Sequence, residues 1–141
     1  MSYDQLAFKI GNRTAVGNYS SETSRYTPVK STANASFSKQ TTKGGVVLGI
    51  LQNTPSSGGM GEIAVTGISK ARVVAPTHTA IGIMDRLIAS TVGGLRASTG
   101  TTVAYYTVGR ALETLAANTT GIIAVLLNHE GSGSTGTQNQ P

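Results

Sequence analysis

The chain has 141 residues, 18 of them glycine and none cysteine, and carries a net charge of +5 from 11 Lys and Arg against 6 Asp and Glu. That length fits one domain, and the lack of thiols excludes both a disulfide framework and a thiolate metal site. Leu, Ile, Val and Phe number 31, and 25 of these lie between Gly44 and Glu130, so folding is expected to centre there on a modest core.

Residues 1–24 mix Gly, Asn, Ser and Thr with isolated apolar positions and hold no sustained period of 2 or 3.6. They read as an extended N-terminal arm. Six of the cations and five of the seven aromatics fall within residues 1–43. Tyr and Arg in a stretch poor in aliphatic residues suit a segment that orders against another surface. Tyr3, Phe8, Arg13, Tyr19, Arg25, Tyr26 and Lys30 are therefore the candidate partner-binding residues. The alternative is a polar strand and loops folded against the parent domain.

From Arg25 the pattern tightens. "RYTPVKST" alternates as an edge strand would, since proline is tolerated mainly there. "GGVVLGIL", a continuous apolar run closed by the turn-forming "NTPSSGG", reads as a strand buried on both faces. "GEIAVTG" has period 2 and reads as half-buried. "KARVVA", "DRLIAS", "GLRAS", "TTVAYYTVGRALE" and "GIIAVLL" continue as separate strands, although "GRALETLAAN" also fits one helical face. Short strands with turn signals between them indicate an all-β barrel or sandwich. The final "GSGSTGTQNQP", Gly131–Pro141, has no apolar side chain and reads as a disordered tail. The expected organisation is an arm over 1–24, a β-barrel domain over 25–130 and a flexible tail over 131–141.

At an offset of sixty, Gly49, Thr54, Gly61, Ile63, Ala64 and Val65 recur as Gly109, Thr114, Gly121, Ile123, Ala124 and Val125. Two similar hairpins in a barrel with pseudo-symmetric halves would produce this pattern, as would compositional bias.

Chemistry has little to work with. His78 and His129 stand alone and read as solvated loop side chains, whereas zinc needs three or four ligands at recognisable spacing. No G-x-S-x-G elbow occurs, and neither "GGMGEI" nor "KGGVV" completes a phosphate-binding fingerprint. No catalytic, metal or cofactor residues are assigned, and the chain is not expected to be an enzyme. The apolar run Ile122–Leu127 is far shorter than the roughly 20 residues of a membrane helix, so no membrane association is expected. Lys and Arg interleaved with Tyr and Phe in the first segment raise a nucleic-acid-binding β-barrel as the alternative function, but no two of those cations are adjacent.

Gly49–Asn53 (GILQN), Gly61–Gly67 (GEIAVTG), Met84–Leu87 (MDRL), Gly109–Glu113 (GRALE) and Gly121–Leu127 (GIIAVLL) occur in an order and spacing that resembles the capsid cement, or head decoration, proteins of tailed bacteriophages. The match spans roughly residues 44–128. Met84 stands where that family usually has glycine, so the turn there is expected to be built differently. The resemblance implies a small β-barrel, sometimes called a β-tulip, that sits as homotrimers on the capsid exterior and binds the major capsid protein. It also implies extended termini that bridge capsomers, a role that falls to the arm residues named above.

Overall fold

The computed structural model describes residues 6–98 and 105–133, so Tyr3 and residues 134–141 lie outside the described residues. The protein is all-β: β1 Leu6–Ala15, β2 Pro28–Ala33, β3 Ser36–Lys39, β4 Gly49–Leu51, β5 Met60–Ala75, β6 Arg86–Ala89, β7 Leu95–Ala97, β8 Tyr105–Ala111 and β9 Thr119–Gly133. Among the described residues the helical content is one 3-10 turn, Glu22–Ser24.

Strand pairing closes two five-stranded circuits that share β5. The first runs β5–β1–β3–β2–β4 and back to β5, and the second runs β5–β7–β6–β8–β9 and back to β5. Closure removes the free edges that would invite pairing with other chains. Two apolar clusters form, one centred in each circuit, the second also taking in Val47, Ile50 and Ala64 from the side of β4. Val29, Phe37, Leu51 and Ile63 fill the first. Ala71, Val73, Leu87, Leu95, Ala111, Val125 and their neighbours fill the second.

The sixty-residue repeat is the rule of the whole fold. Shifted by about sixty, β1, β2, β3, β4 and the first half of β5 become the second half of β5, β6, β7, β8 and β9. Each pairing recurs with the same direction: parallel for β1–β3 and β5–β7, antiparallel for the rest. The register Ala7↔Gly67 reappears sixty residues on as Gly67↔Leu127. Between β8 and β9 the ladder is slipped by two residues relative to β4 and β5, Ile50↔Ala64 becoming Arg110↔Leu126. An even slip keeps every side chain on its own face.

The turn geometry repeats as well. Tyr26 and Met84 both take positive φ, 66° and 70°, each just before its strand. Tyr26 N–H donates to the Leu51 carbonyl as Met84 N–H donates to that of Ala111, both at 2.7 Å. Met84 thus adopts the left-handed conformation that glycine reaches without cost. The turn shares the geometry of the one at Tyr26 and carries the strain of an L side chain.

Several expectations are corrected. Residues 6–15 of the arm are extended but lie in the sheet, paired with β5 from Leu6↔Ile68 to Thr14↔Met60. Two register shifts, at Phe8/Lys9 and between Ile10 and Arg13, break the period of 2 that would have marked them as a strand. β2 is internal, between β3 and β4, and Pro28 occupies its first position, where the missing N–H is tolerated. In "GGVVLGIL" only Gly49–Leu51 is strand; Val46 is 65% exposed. "GEIAVTG" and "KARVVA" are one strand, bent at Gly67, whose φ of 94° is open to glycine. The helical alternative in "GRALETLAAN" is not adopted: Gly109–Ala111 ends β8, and Leu115 bridges to Ile81. Residues 131–133, expected in the tail, finish β9 against Tyr105–Thr107.

Candidate partner-binding groove

On one flank of β5 the neighbour changes from β4, opposite Ile63 and Ala64, to β9, opposite Gly67 and beyond. Val65 and Thr66 fall in the gap between the two. A side chain closes it: His129 Nε2 lies 2.7 Å from the Val65 carbonyl oxygen and His129 Nδ1 lies 2.8 Å from the Tyr106 hydroxyl. A carbonyl can only accept, so Nε2 carries the hydrogen, and in the neutral ring Nδ1 accepts from the Tyr106 O–H. His129 is therefore a structural strand residue with both nitrogens engaged, not the solvated loop side chain expected. His78, in an exposed turn at φ 73°, matches that description.

Beside this gap opens a groove of about 550 Å³ lined by Lys30, Ser31, Gln40, Val46, Val47, Leu48, Val65, Thr66, Tyr106 and His129. Its lip is the loop before β4. Gln40, only 4% exposed, holds that loop by donating from Nε2 to the Val46 carbonyl and accepting from Thr42 N–H, at 2.6 and 3.0 Å. Gly44 ties it to the second circuit, donating to Ala89 O and accepting from Tyr106 N–H. Val46 is left facing outward. Phe8, 64% exposed, sits opposite Thr66 in the β1–β5 ladder and extends the apolar surface. A largely apolar, partly preformed concavity with few polar groups is the usual form of a binding site.

The candidate residues named from sequence divide into two groups. Lys30 lines the groove, and Phe8 lies opposite its lining residue Thr66 in the β1–β5 ladder. Tyr19, Arg25 and Tyr26 are engaged within the fold. Tyr19 stacks on Phe37 with ring centroids 5.9 Å apart, donates to Val16 O at 2.9 Å and accepts from Lys39 N–H at 3.0 Å. Arg25 Nε donates to Gln52 O at 2.9 Å, and its guanidinium lies 5.2 Å from the Tyr26 ring centre. The Tyr26 carbonyl accepts from Arg72 N–H at 2.7 Å, joining the circuits. Arg13 donates from Nη1 to Ser31 Oγ at 3.0 Å, clamping β1 to β2. Two of the rings that suggested base stacking are faced by the chain's own cations, Tyr26 by Arg25 and Tyr19 by Lys39, and Lys43 likewise faces Tyr105 outside that segment. The groove draws on five separate elements, so no local sequence signature could mark it.

Four carboxylates have structural partners. Glu62 pairs with Lys9 at 3.3 Å and Glu22 with Arg25 at 3.9 Å. Asp85 accepts from Gly82 N–H, and Glu113 from Ala124 N–H.

Burial pushes the Tyr106 hydroxyl above the ordinary phenol value. An unfolded tyrosine ionises near pH 10, so the stability held by the neutral hydroxyl is complete below about pH 10 and is lost as pH rises through the folded-state value. Urea titrations between pH 8 and 11.5 are expected to show this alkaline loss. Tyr106→Phe is expected to begin about 1 kcal/mol less stable with a shallower alkaline slope; an equal slope would assign the loss elsewhere.

No family model matches this sequence, and no curated protein matches it either. The fold is shared with a solved structure, the N base of head fiber gp8.5 of bacteriophage phi29, at a TM-score of 0.53 and 11% sequence identity, covering 87% of this chain and 95% of that one.

Proposed function

We propose that this chain is a structural protein of a phage head, of the capsid decoration (cement) type. It attaches to the major capsid protein on the exterior of the virion as homotrimers, stabilises the lattice and performs no catalysis. The observation that carries this reading is the fold likeness to a head fiber base over nearly the full length of both chains, together with the cement-protein resemblance read from residues 44–128. The employment of Glu22, Glu62, Asp85 and Glu113 in ion pairs and backbone contacts supports the non-enzymatic part. Docking on a lattice stabilises both partners by mass action, because only the folded state binds.

In this proposal the groove, with Phe8 and Val46 as exposed apolar anchors and Lys30 at its rim, receives the capsid. Co-sedimentation with heads lacking this protein tests it, with light scattering for the trimer. The double variant Phe8→Ser, Val46→Ser is expected to lose at least about tenfold in affinity, roughly 1.4 kcal/mol, without loss of thermal stability. Unchanged sedimentation would remove the groove from the interface, and absence of wild-type binding would remove the decoration role itself.

A further inference from the structure

We propose that Arg72, Arg86 and Arg96 form a docking stripe for an acidic surface on a different protein chain; the identity of that chain as a head protein rests on the function proposed above. The three arginines stand on β5, β6 and β7, adjacent in the order β5–β7–β6. Their flanking residues Ala71, Val73, Leu87, Leu95 and Ala97 fill the core, so strand alternation puts the three guanidinium groups on the outer face of the second circuit.

These cations are partly desolvated and uncompensated. The Nε of each is buried without a hydrogen-bond partner among the described residues, and none of the three enters an ion pair there. Arg86 Nη2 donates to Thr107 Oγ1 at 2.7 Å. A guanidinium that has given up water on one edge gains most from a carboxylate on the other, in the planar two-pronged geometry that Arg favours. The fold does not demand the charge. At the equivalent positions of the first circuit stand Asn12, Pro28 and Ser36.

Charge accounting identifies the occupant. Of six carboxylates in the chain, Glu22, Glu62, Asp85 and Glu113 are engaged as described, which leaves Asp4 and Glu130. Among the described residues a second copy of the chain therefore offers no unengaged cluster of carboxylates. β5, β6 and β7 contain no aromatic residue, so bases have no platform for stacking. Next to Arg96 is an indentation of about 160 Å³ lined by Val74, Pro76, Ser90, Thr91 and Val92, and Val92 is 70% exposed. Arginine beside a small apolar recess is the composition of a protein interface.

The test uses the full chain with Arg72→Gln and Arg96→Gln combined, Arg86 being left because its bond to buried Thr107 supports the fold. Lys39→Gln with Lys43→Gln is the charge-matched control, and thermal melts confirm that both variants are folded. In fluorescence titrations with poly-L-glutamate at low salt, the arginine variant is expected to bind at least about tenfold more weakly with a smaller salt slope, and the control within about twofold of wild type. Equal losses in both variants would reduce the effect to bulk charge and overturn the stripe. Binding of a 20-base-pair DNA duplex that is tighter than poly-L-glutamate binding and lost in the arginine variant would overturn it in favour of nucleic acid. On heads lacking this protein, the arginine variant is expected to sediment less than the control. Failure of the wild type to sediment would sink the decoration reading, while the poly-L-glutamate arm still decides the stripe.

Discussion

Phe37→Ala is expected to lower the unfolding free energy by about 3–5 kcal/mol, the usual result of emptying a buried aromatic site. Phe37 is fully buried and is the one aromatic among the five buried apolar residues of the first cluster, Ala15, Val29, Phe37, Leu51 and Ile63. Four smaller residues cannot close over the vacated space, and Tyr19 loses the ring on which it stacks. The second cluster, with 16 buried residues, keeps its own packing. Amide exchange should therefore show protection falling first in β2 and β3 and later in β8 and β9. A urea-derived loss below about 1 kcal/mol, or equal loss of protection in both circuits, would contradict this division of the core.

Gly109→Ala is expected to cost about 1–3 kcal/mol by overpacking, towards the upper end because the obstacle is main chain. A Cβ at residue 109 would be driven into the Leu126 carbonyl oxygen, and one at Gly49 into that of Ala64. A carbonyl fixed in a ladder cannot rotate aside as a side chain can, so β8 and β9, or β4 and β5, must separate. Thermal denaturation of the two variants should give losses of similar size. Gly11→Ala, where a Cβ meets nothing within 4 Å, should stay within about 0.5 kcal/mol of wild type. A harmless Gly109→Ala would mean that the close approach has no energetic weight.

These two glycines show how much of the fold the sequence displays. They belong to the matched pairs at an offset of sixty, and they recur because each hairpin needs the same close approach of its strands. Strand content was legible too, since Ile63 and Val65, or Ile123 and Val125, alternate against polar or small neighbours. What stayed hidden depends on distant partners. β1 was masked by its two bulges and by a ladder to residues about fifty positions away. The fusion at Gly67 was masked because glycine normally signals a turn, whereas here it bends one strand between two circuits. The groove was legible only through Phe8 and Lys30. Tyr106 and His129 carry no motif, and pairing 23 residues apart makes them neighbours. Tyr19, Arg25 and Tyr26 have the composition of interface anchors, but the same chemistry serves to strap the first circuit to itself and to β5.

β5 gives the molecule a mechanical property that neither circuit would have alone. Two barrels joined by a linker would transmit load through a flexible tether, and two barrels packed face to face would part along a side-chain seam. Here the connection is one continuous strand of 16 residues, hydrogen-bonded on both flanks, with β1 and β4 along its first half and β7 and β9 along its second. Tension applied to one circuit reaches the other through covalent backbone, with the ladders on either side loaded in parallel shear. Separating the halves requires tearing both barrels open at once.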